Sequence, residues 1–464
     1  MHHHGRLSGG RNMTEGNPYG HIVSFAMPLL VSQIFQQLYN TADTFIVGKY
    51  LGTDALAAVS SSGPLIFMMI SFFMGTAQGA GVVISRYFGA DDHNRVSRAI
   101  HTNIAFGVVV GILLSVVGVF FTPTLLGWMD TDPDIMPEAI EYFRYYYSGV
   151  ITVVLYNILR GILNAVGDSR RPLIYLICSS LLNIALDFLF VGVFGWGVWS
   201  AAVATVISQA FSVVLCLIHL LKKGHIYSVS LRRIRFHWDM LKEILKQGLP
   251  AGVQNSVISI ANVLVQTYIN GFGKIATAAY GVHSKIEGFA FLPITSFNMA
   301  ITTFISQNLG ASKYDRAKIG ARFGIVCGVA MAAVIGVLEY VLAEPLIGMF
   351  DKTPEVVELG ARQTHVVALF YFLLAYSHSV AAVCRGAGRA IVPMLVMLAV
   401  WCVGRIIYIV TVMHYFNDIT YVYWAYPLTW TVSSIIYFIY YMCSDWVHGF
   451  DKKSKTQSKK EKIL

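Results

Sequence analysis

The residues in this chain best suited to chemistry are oxygen-bearing side chains set inside long apolar stretches. Asp43 lies in HIVSFAMPLLVSQIFQQLYNTADTFIVGKY, His21 to Tyr50, and Asp187 lies in SSLLNIALDFLF. A carboxylate at the centre of a membrane-spanning helix costs about 2.5–3.5 kcal/mol on insertion scales, and such residues characteristically bind or relay something. On a helix, Gln33, Gln36 and Asn40 stack with Asp43 along one face, because spacings of three and four return to the same side. That face predicts the wall of a wet cavity, with Asp43 binding what passes through it. Asn183 and Asp187 are four apart and share a face of their own helix. Thr205 lies in the next apolar run, beyond the FGWG turn. Asp43, Asn183, Asp187 and Thr205 together make a hard-oxygen set of two carboxylates, an amide and a hydroxyl. It suits a proton or a small cation such as Na⁺, and is too small for an organic substrate alone. The competing reading is that the same groups tie helices together by hydrogen bonds.

The second half of the chain offers Glu287, in GVHSKIEGFAFLP. It either pairs with a buried cation such as Arg405 or accepts a cationic substrate. Met68 and Met299 are candidates for a pliable apolar wall that accommodates varied substrates; the alternative is ordinary core or lipid contact. Other chemistry is poorly represented. The six cysteines include no CxxC pair, and no GxxxxGK[ST], HExxH or GxSxG motif occurs. The chain is therefore expected to be no enzyme and to need no cofactor beyond a coupling ion, Na⁺ or H⁺. An energised machine without nucleotide chemistry must draw on an ion gradient.

These residues have to be positioned by membrane helices. Of 464 residues, 56% are hydrophobic and only 13% charged, with a mean hydropathy of +0.60; soluble domains average about 25% charged residues. Apolar runs of helix length recur about twelve times, too long and too continuous for a transmembrane barrel. The fold class is all-α, integral to the membrane. Lys and Arg outnumber Asp and Glu by 34 to 25, but the basic residues are dispersed in short loops and a tail. That pattern sets orientation and excludes nucleic acid as the partner. It places both termini in the cytoplasm and the chain as a multi-pass protein of the plasma membrane.

The sequence also repeats. ISRYFGADDHNRVSRA at Ile84 matches ISQNLGASKYDRAKIG at Ile305, and the same offset takes Gly52 to Gly273, Gly167 to Gly388 and Pro172 to Pro393. Pro28 matches Pro250 one residue out of phase. Two six-helix halves follow, and because six is even they share orientation, related by a pseudo-two-fold axis along the membrane normal. The expected organisation is a disordered leader or tag over 1–16, an N-terminal lobe over 17–221 and a cytoplasmic linker over 222–240. A C-terminal lobe over 241–446 and a basic tail over 447–464 complete it. Under the repeat Asp43 falls opposite Leu264, Asp187 opposite Tyr408 and Asn183 opposite Gly404. The acidic set belongs to the first half alone.

PLLVSQIFQQLYNTADTFIVG, LGTDALAAV, the doubled ISR/ISQ loops, RGILNAVGDSRRPL and LLNIALDFLFVGVFGWGVWSAAVAT resemble the multidrug and toxic compound extrusion (MATE) transporters. The likeness covers essentially the whole chain after the leader and is strongest to the bacterial branch related to DNA-damage-inducible protein F. The resemblance implies two six-helix lobes around a central cavity and an antiporter exporting organic, often cationic or amphipathic, compounds against inward Na⁺ or H⁺. It also implies an N-lobe site from an Asp on the first helix, an Asn and Asp four apart on the fifth, and a Thr on the sixth. Those positions are Asp43, Asn183, Asp187 and Thr205. A seventh-helix glutamate used by another branch is Ile258 here, and Glu287 matches an acidic position on helix eight linked to substrate handling. The expected partners are small organic substrates and membrane lipid, with the protein acting as a monomer. The rival readings are a flippase for lipid-linked precursors on the same fold, which calls for a basic cavity, and a polytopic membrane enzyme.

Overall fold

The computed structural model describes residue 10, residues 12–128 and residues 133–450, without the side chains of residues 53, 56–57 and 60–69. Its regular elements are helices: α1 (Pro18–Leu51), α2 (Thr53–Gly89), α3 (His93–Trp128), α4 (Met136–Ser148), α5 (Val150–Ala165), α6 (Arg170–Asp187) and α7 (Trp199–Leu220). The second half supplies α8 (Trp238–Asn270), α9 (Lys274–Gly310), α10 (Tyr314–Val341), α11 (Ala343–Gly348), α12 (Pro354–Val367), α13 (Tyr371–Gly386), α14 (Ile391–Val396), α15 (Arg405–Tyr415) and α16 (Ile419–Cys443). Among the described residues nine helical segments are long and apolar enough to cross a membrane. A tenth forms if α4 and α5, bent by 48°, are one span. The 37-residue α2 and 25-residue α16 bring the crossings to twelve; at about 1.5 Å per residue both exceed a hydrocarbon core of about 30 Å. In lipid every backbone amide must be satisfied within its own segment, which is why helices dominate.

Helices run past the apolar stretches that announce them, since their polar ends need only water. Two crossings are interrupted. Gly149 separates α4 from α5, and a Cβ there would lie 2.2 Å from Val206, so the break lets α7 approach. Ala368–Phe370, a 3-10 turn, joins α12 to α13. Two other crossings contain π-helical turns, Phe188–Val193 directly after Asp187 and Met397–Gly404 directly before Arg405. Such turns re-aim side chains and are frequent at functional sites.

The repeat is visible in the backbone. Gly52 and Gly273 precede α2 and α9 with φ of 88° and 99°; Gly167 and Gly388 have 83° and 72°; Asp91 and Ser312 both have 56°. Each pair is related by the offset read from the sequence, so both halves reuse the same left-handed turns.

The chain forms two compact units, one comprising Val31–Gly248 and the other Met13–Leu30 with the chain from Leu249 onward. Both α1 and α8 are divided between units, close to Pro28 and Pro250. Within the first unit α3 packs through glycines: a Cβ on Gly107, Gly111 or Gly118 would lie 2.2, 2.7 or 2.0 Å from Ile158, Ile151 or Tyr147. In the second, Gly320 and Gly324 of α10 do the same against Phe304 and Ile301. Lipid gives no hydrophobic drive for helix association, so small residues that permit close packing take that role.

Three expected boundaries differ. The leader is docked from Met13, whose side chain is fully buried. Its amide donates to Gln307 Oε1 (3.0 Å), and Arg316 donates to the carbonyls of Met13 (3.0 and 3.1 Å), Glu15 (2.9 Å) and Gly16 (2.6 Å). Lys313 donates to the Thr14 carbonyl at 2.8 Å. A guanidinium with five donors can hold a run of carbonyls, an arrangement that local polarity cannot reveal. The linker ends earlier than 240, with α8 starting at Trp238, and it is fastened within the first unit. The Ser230 amide donates to His101 Nε2 (3.0 Å), the His237 amide to Thr102 Oγ1 (3.2 Å), and Arg98 pairs with Asp239 (2.6 Å). At the other end Val447 and Phe450 are buried, so packed structure extends past the expected start of the tail.

Replacing Arg316 with Ala should free residues 13–16, raising their amide exchange by at least about tenfold, the loss of roughly 1.4 kcal/mol of local protection. Hydrogen exchange read by mass spectrometry checks this. Unchanged exchange in the variant would show that Met13 burial and the Gln307 and Lys313 bonds hold the segment without Arg316.

Candidate functional site

Three helices of the first unit bring the oxygen set together. The Asp43 and Asp187 side chains are neighbours, close enough to interact directly. With its amide oriented to satisfy both neighbours, Asn183 donates to Asp187 Oδ2 at 2.8 Å and accepts from the Thr205 amide at 3.2 Å. The Thr205 hydroxyl donates to the Ala201 carbonyl (3.1 Å) and lies 3.5 Å from the Tyr39 hydroxyl. Asn183 and Asp187 are fully buried and Thr205 nearly so, whereas Asp43 is half-buried. The Oδ1 atoms of both aspartates are shielded from solvent and have no hydrogen-bond partner among the described residues. Two ionised carboxylates this close repel one another, which favours the neutral form of one of them.

The surroundings are built one turn further along each helix. Ile46 and Val47 follow Asp43, Val191 follows Asp187, and Val198, Ala201 and Ala202 precede Thr205; with Ala55 and Tyr142 they make one apolar cluster. It closes one side of the site and keeps the carboxylates dry. Tyr142 of α4, stacked on Tyr146 at 6.3 Å, and Tyr39 bring phenol groups within electrostatic reach of Asp43 and Asp187. Tyr39 stands one helical turn before Asp43, so its spacing was a usable signal. Tyr142 and Tyr146 carry no such signal, because the packing of α4 alone brings them in.

The amide stripe of α1 flanks the acid pair without joining it. Gln33 and Gln36 are half-buried and Asn40 is exposed, and Gln36 Nε2 lies 3.5 Å from Asn40 Oδ1. Met68 lies outside the described residues. Met299 packs against the second unit's cluster of Met13, Phe25, Leu29, Phe297 and Phe304.

Glu287 is half-buried in the second unit. Among the described residues it forms no ion pair, and neither does Arg405. Both are within electrostatic reach of each other. A further carboxylate, Glu339, is buried nearby and accepts from Tyr371 Oη at 3.1 Å. It is an isolated acid in the apolar run AAVIGVLEYVLA, a signal of the same kind as Asp43 and Asp187. No group of three or more His, Cys, Asp or Glu side chains that could hold a metal occurs among the described residues.

Comparison with known proteins settles the family. The MatE family model matches twice, over residues 28–189 and 250–411. The chain belongs to the MatE family. The two matches begin at Pro28 and Pro250, the paired prolines of the repeat. "Probable multidrug resistance protein YoeA" of Bacillus subtilis is 30% identical over 90% of this chain and 92% of its own. "Probable multidrug resistance protein YpnP" of the same organism is 25% identical over 84% and 87%. Among solved structures, an outward-facing multidrug resistance MATE transporter of the MOP superfamily superposes with a TM-score of 0.87 at 22% identity, covering 94% of this chain and 98% of that one. The protein is a membrane transporter of the MatE family and not an enzyme.

Within this MatE fold, Asn183 is the hinge of the acidic site's hydrogen bonding. Asn183→Leu should lower stability by about 1–3 kcal/mol, because it strands a buried Asp187 oxygen. Thermal unfolding in detergent reads this; an unchanged Tm would mean that oxygen finds another partner.

Proposed function

We propose that this transporter exports organic cations and amphipathic compounds in exchange for inward H⁺ or Na⁺, with Asp43 and Asp187 as the coupling pair. The observation that carries the reading is the proximity of two carboxyl groups whose Oδ1 atoms are shielded from solvent and have no partner among the described residues. A proton shared between them, or a Na⁺ held with the Asn183 and Thr205 oxygens, would balance the site. Loss of that ion would leave two like charges side by side, and the α1 face would have to repack to separate them. That makes ion occupancy a bias on conformation, as alternating access requires. Cytoplasmic substrate would compete with the bound ion, and the amides of Gln33, Gln36 and Asn40 would line its approach. Both termini lie in the cytoplasm on this reading, which the basic loops support.

Export of ethidium from proteoliposomes tests this, with a pH gradient and a Na⁺ gradient imposed separately. Asp43→Asn should reduce gradient-driven export at least about a hundredfold, since one charge of the pair is then fixed as neutral, while insertion and yield stay near wild type. Wild-type rates in a correctly folded Asp43→Asn protein would sink the coupling role.

A further inference from the structure

We infer that the second unit contains an anion-recognising subsite at Arg405, which extends the transported compounds to zwitterions bearing a carboxylate on an organic cation. Arg405 opens α15 directly after the π-helical turn and is 1% exposed. Its neighbours are neutral: Nη1 donates to Asn262 Oδ1 at 3.3 Å and Nη2 to Thr429 Oγ1 at 3.0 Å. The guanidinium lies against the rings of Trp401 (5.3 Å) and Tyr426 (4.6 Å), and Tyr426 is held by Tyr280 through a 2.9 Å hydroxyl contact. No carboxylate stands within ion-pair distance of it among the described residues. Its Nε is buried without a partner.

A buried cation without a paired anion is strongly unfavourable unless a counter-charge completes it. Arginine is also the side chain whose planar fork matches a carboxylate. The residue is therefore oriented by two neutral acceptors and two aromatic faces while keeping donors in reserve. Asn262 is exposed and Glu287 half-buried, so the groups around Arg405 reach the surface of the unit. Glu287 is close enough to feel the guanidinium yet does not bind it. Separated, unneutralised charges of opposite sign are what a zwitterion would bridge, its ammonium toward Glu287 and its carboxylate on Arg405. Under the repeat the same crossing in the first unit carries Asn183 and Asp187, so equivalent helices present opposite charge.

Rhodamine B and its ethyl ester provide the probe pair: the same dye cation with and without a free carboxylate. Their binding to the full-length protein in nanodiscs is followed by fluorescence anisotropy, without any ion gradient. The result is thus independent of whether Asp43 couples transport. Rhodamine B should bind more tightly than the ester, and millimolar benzoate should displace the acid but not the ester. Arg405→Gln should weaken rhodamine B about tenfold to a hundredfold, the range for a charge-assisted hydrogen bond, and the ester by no more than about twofold; Arg405→Lys should fall between. Equal affinities of the two dyes in the wild type, or parallel losses in the variants, would overturn the subsite. If Arg405→Gln fails to fold, the benzoate competition on the wild-type protein decides alone.

Discussion

Two neighbouring carboxyl groups inside an apolar bundle set the terms for the rest of the first unit. Asp43 and Asp187 come from helices far apart in the chain, and two like charges so close are tolerable only when one of them is neutralised. Everything nearby serves that condition. Asn183 holds one Asp187 oxygen and leaves the other open. The cluster around Ile46, Val47 and Val191 removes water from one side, which strengthens each electrostatic interaction within. The π-helical turn starting at Phe188 ends the regular ladder just where Asp187 must point.

Duplication explains how such a site can exist without compromising the scaffold. Paired glycines, paired left-handed Asp91 and Ser312, and two family matches of the same extent show one six-crossing design used twice. The turns and close-packing glycines are common property of both copies. Charge is not. The first copy places one acid, Asp187, on its fifth crossing; the second places Arg405 there, with Glu287 and Glu339 on other helices. Polar side chains are costly within lipid, so a copy keeps them only where it has a use for them, and the two copies have kept different ones.

The segments that precede α1 and α8 are bound into this scaffold. Lys313 and Arg316, at the turn between α9 and α10, hold the backbone of residues 13–16, while Arg98, His101 and Thr102 hold the linker ahead of α8. In each case the segment preceding a lobe's first helix is secured at the end of a helical hairpin. Basic loop residues thus have a structural use.

Much of this was legible in the sequence, for physical reasons. Apolar runs of spanning length force helices, because lipid offers the backbone no other partner; the repeat then determined two equivalent halves and the turns joining them. Isolated acids in those runs singled out Asp43 and Asp187, and periodicity put Asn183 beside Asp187. Periodicity could not say which faces meet. It grouped Gln33, Gln36 and Asn40 with Asp43, but packing brings Tyr39 to Thr205 and leaves Asn40 exposed. It suggested an ion pair between Glu287 and Arg405, but tertiary structure gives Arg405 only neutral partners. Helix identity is a local property of the chain, written in its hydrophobicity. Which side chains touch depends on the rotation and approach of whole helices, decided by small residues and π turns distributed along all of them.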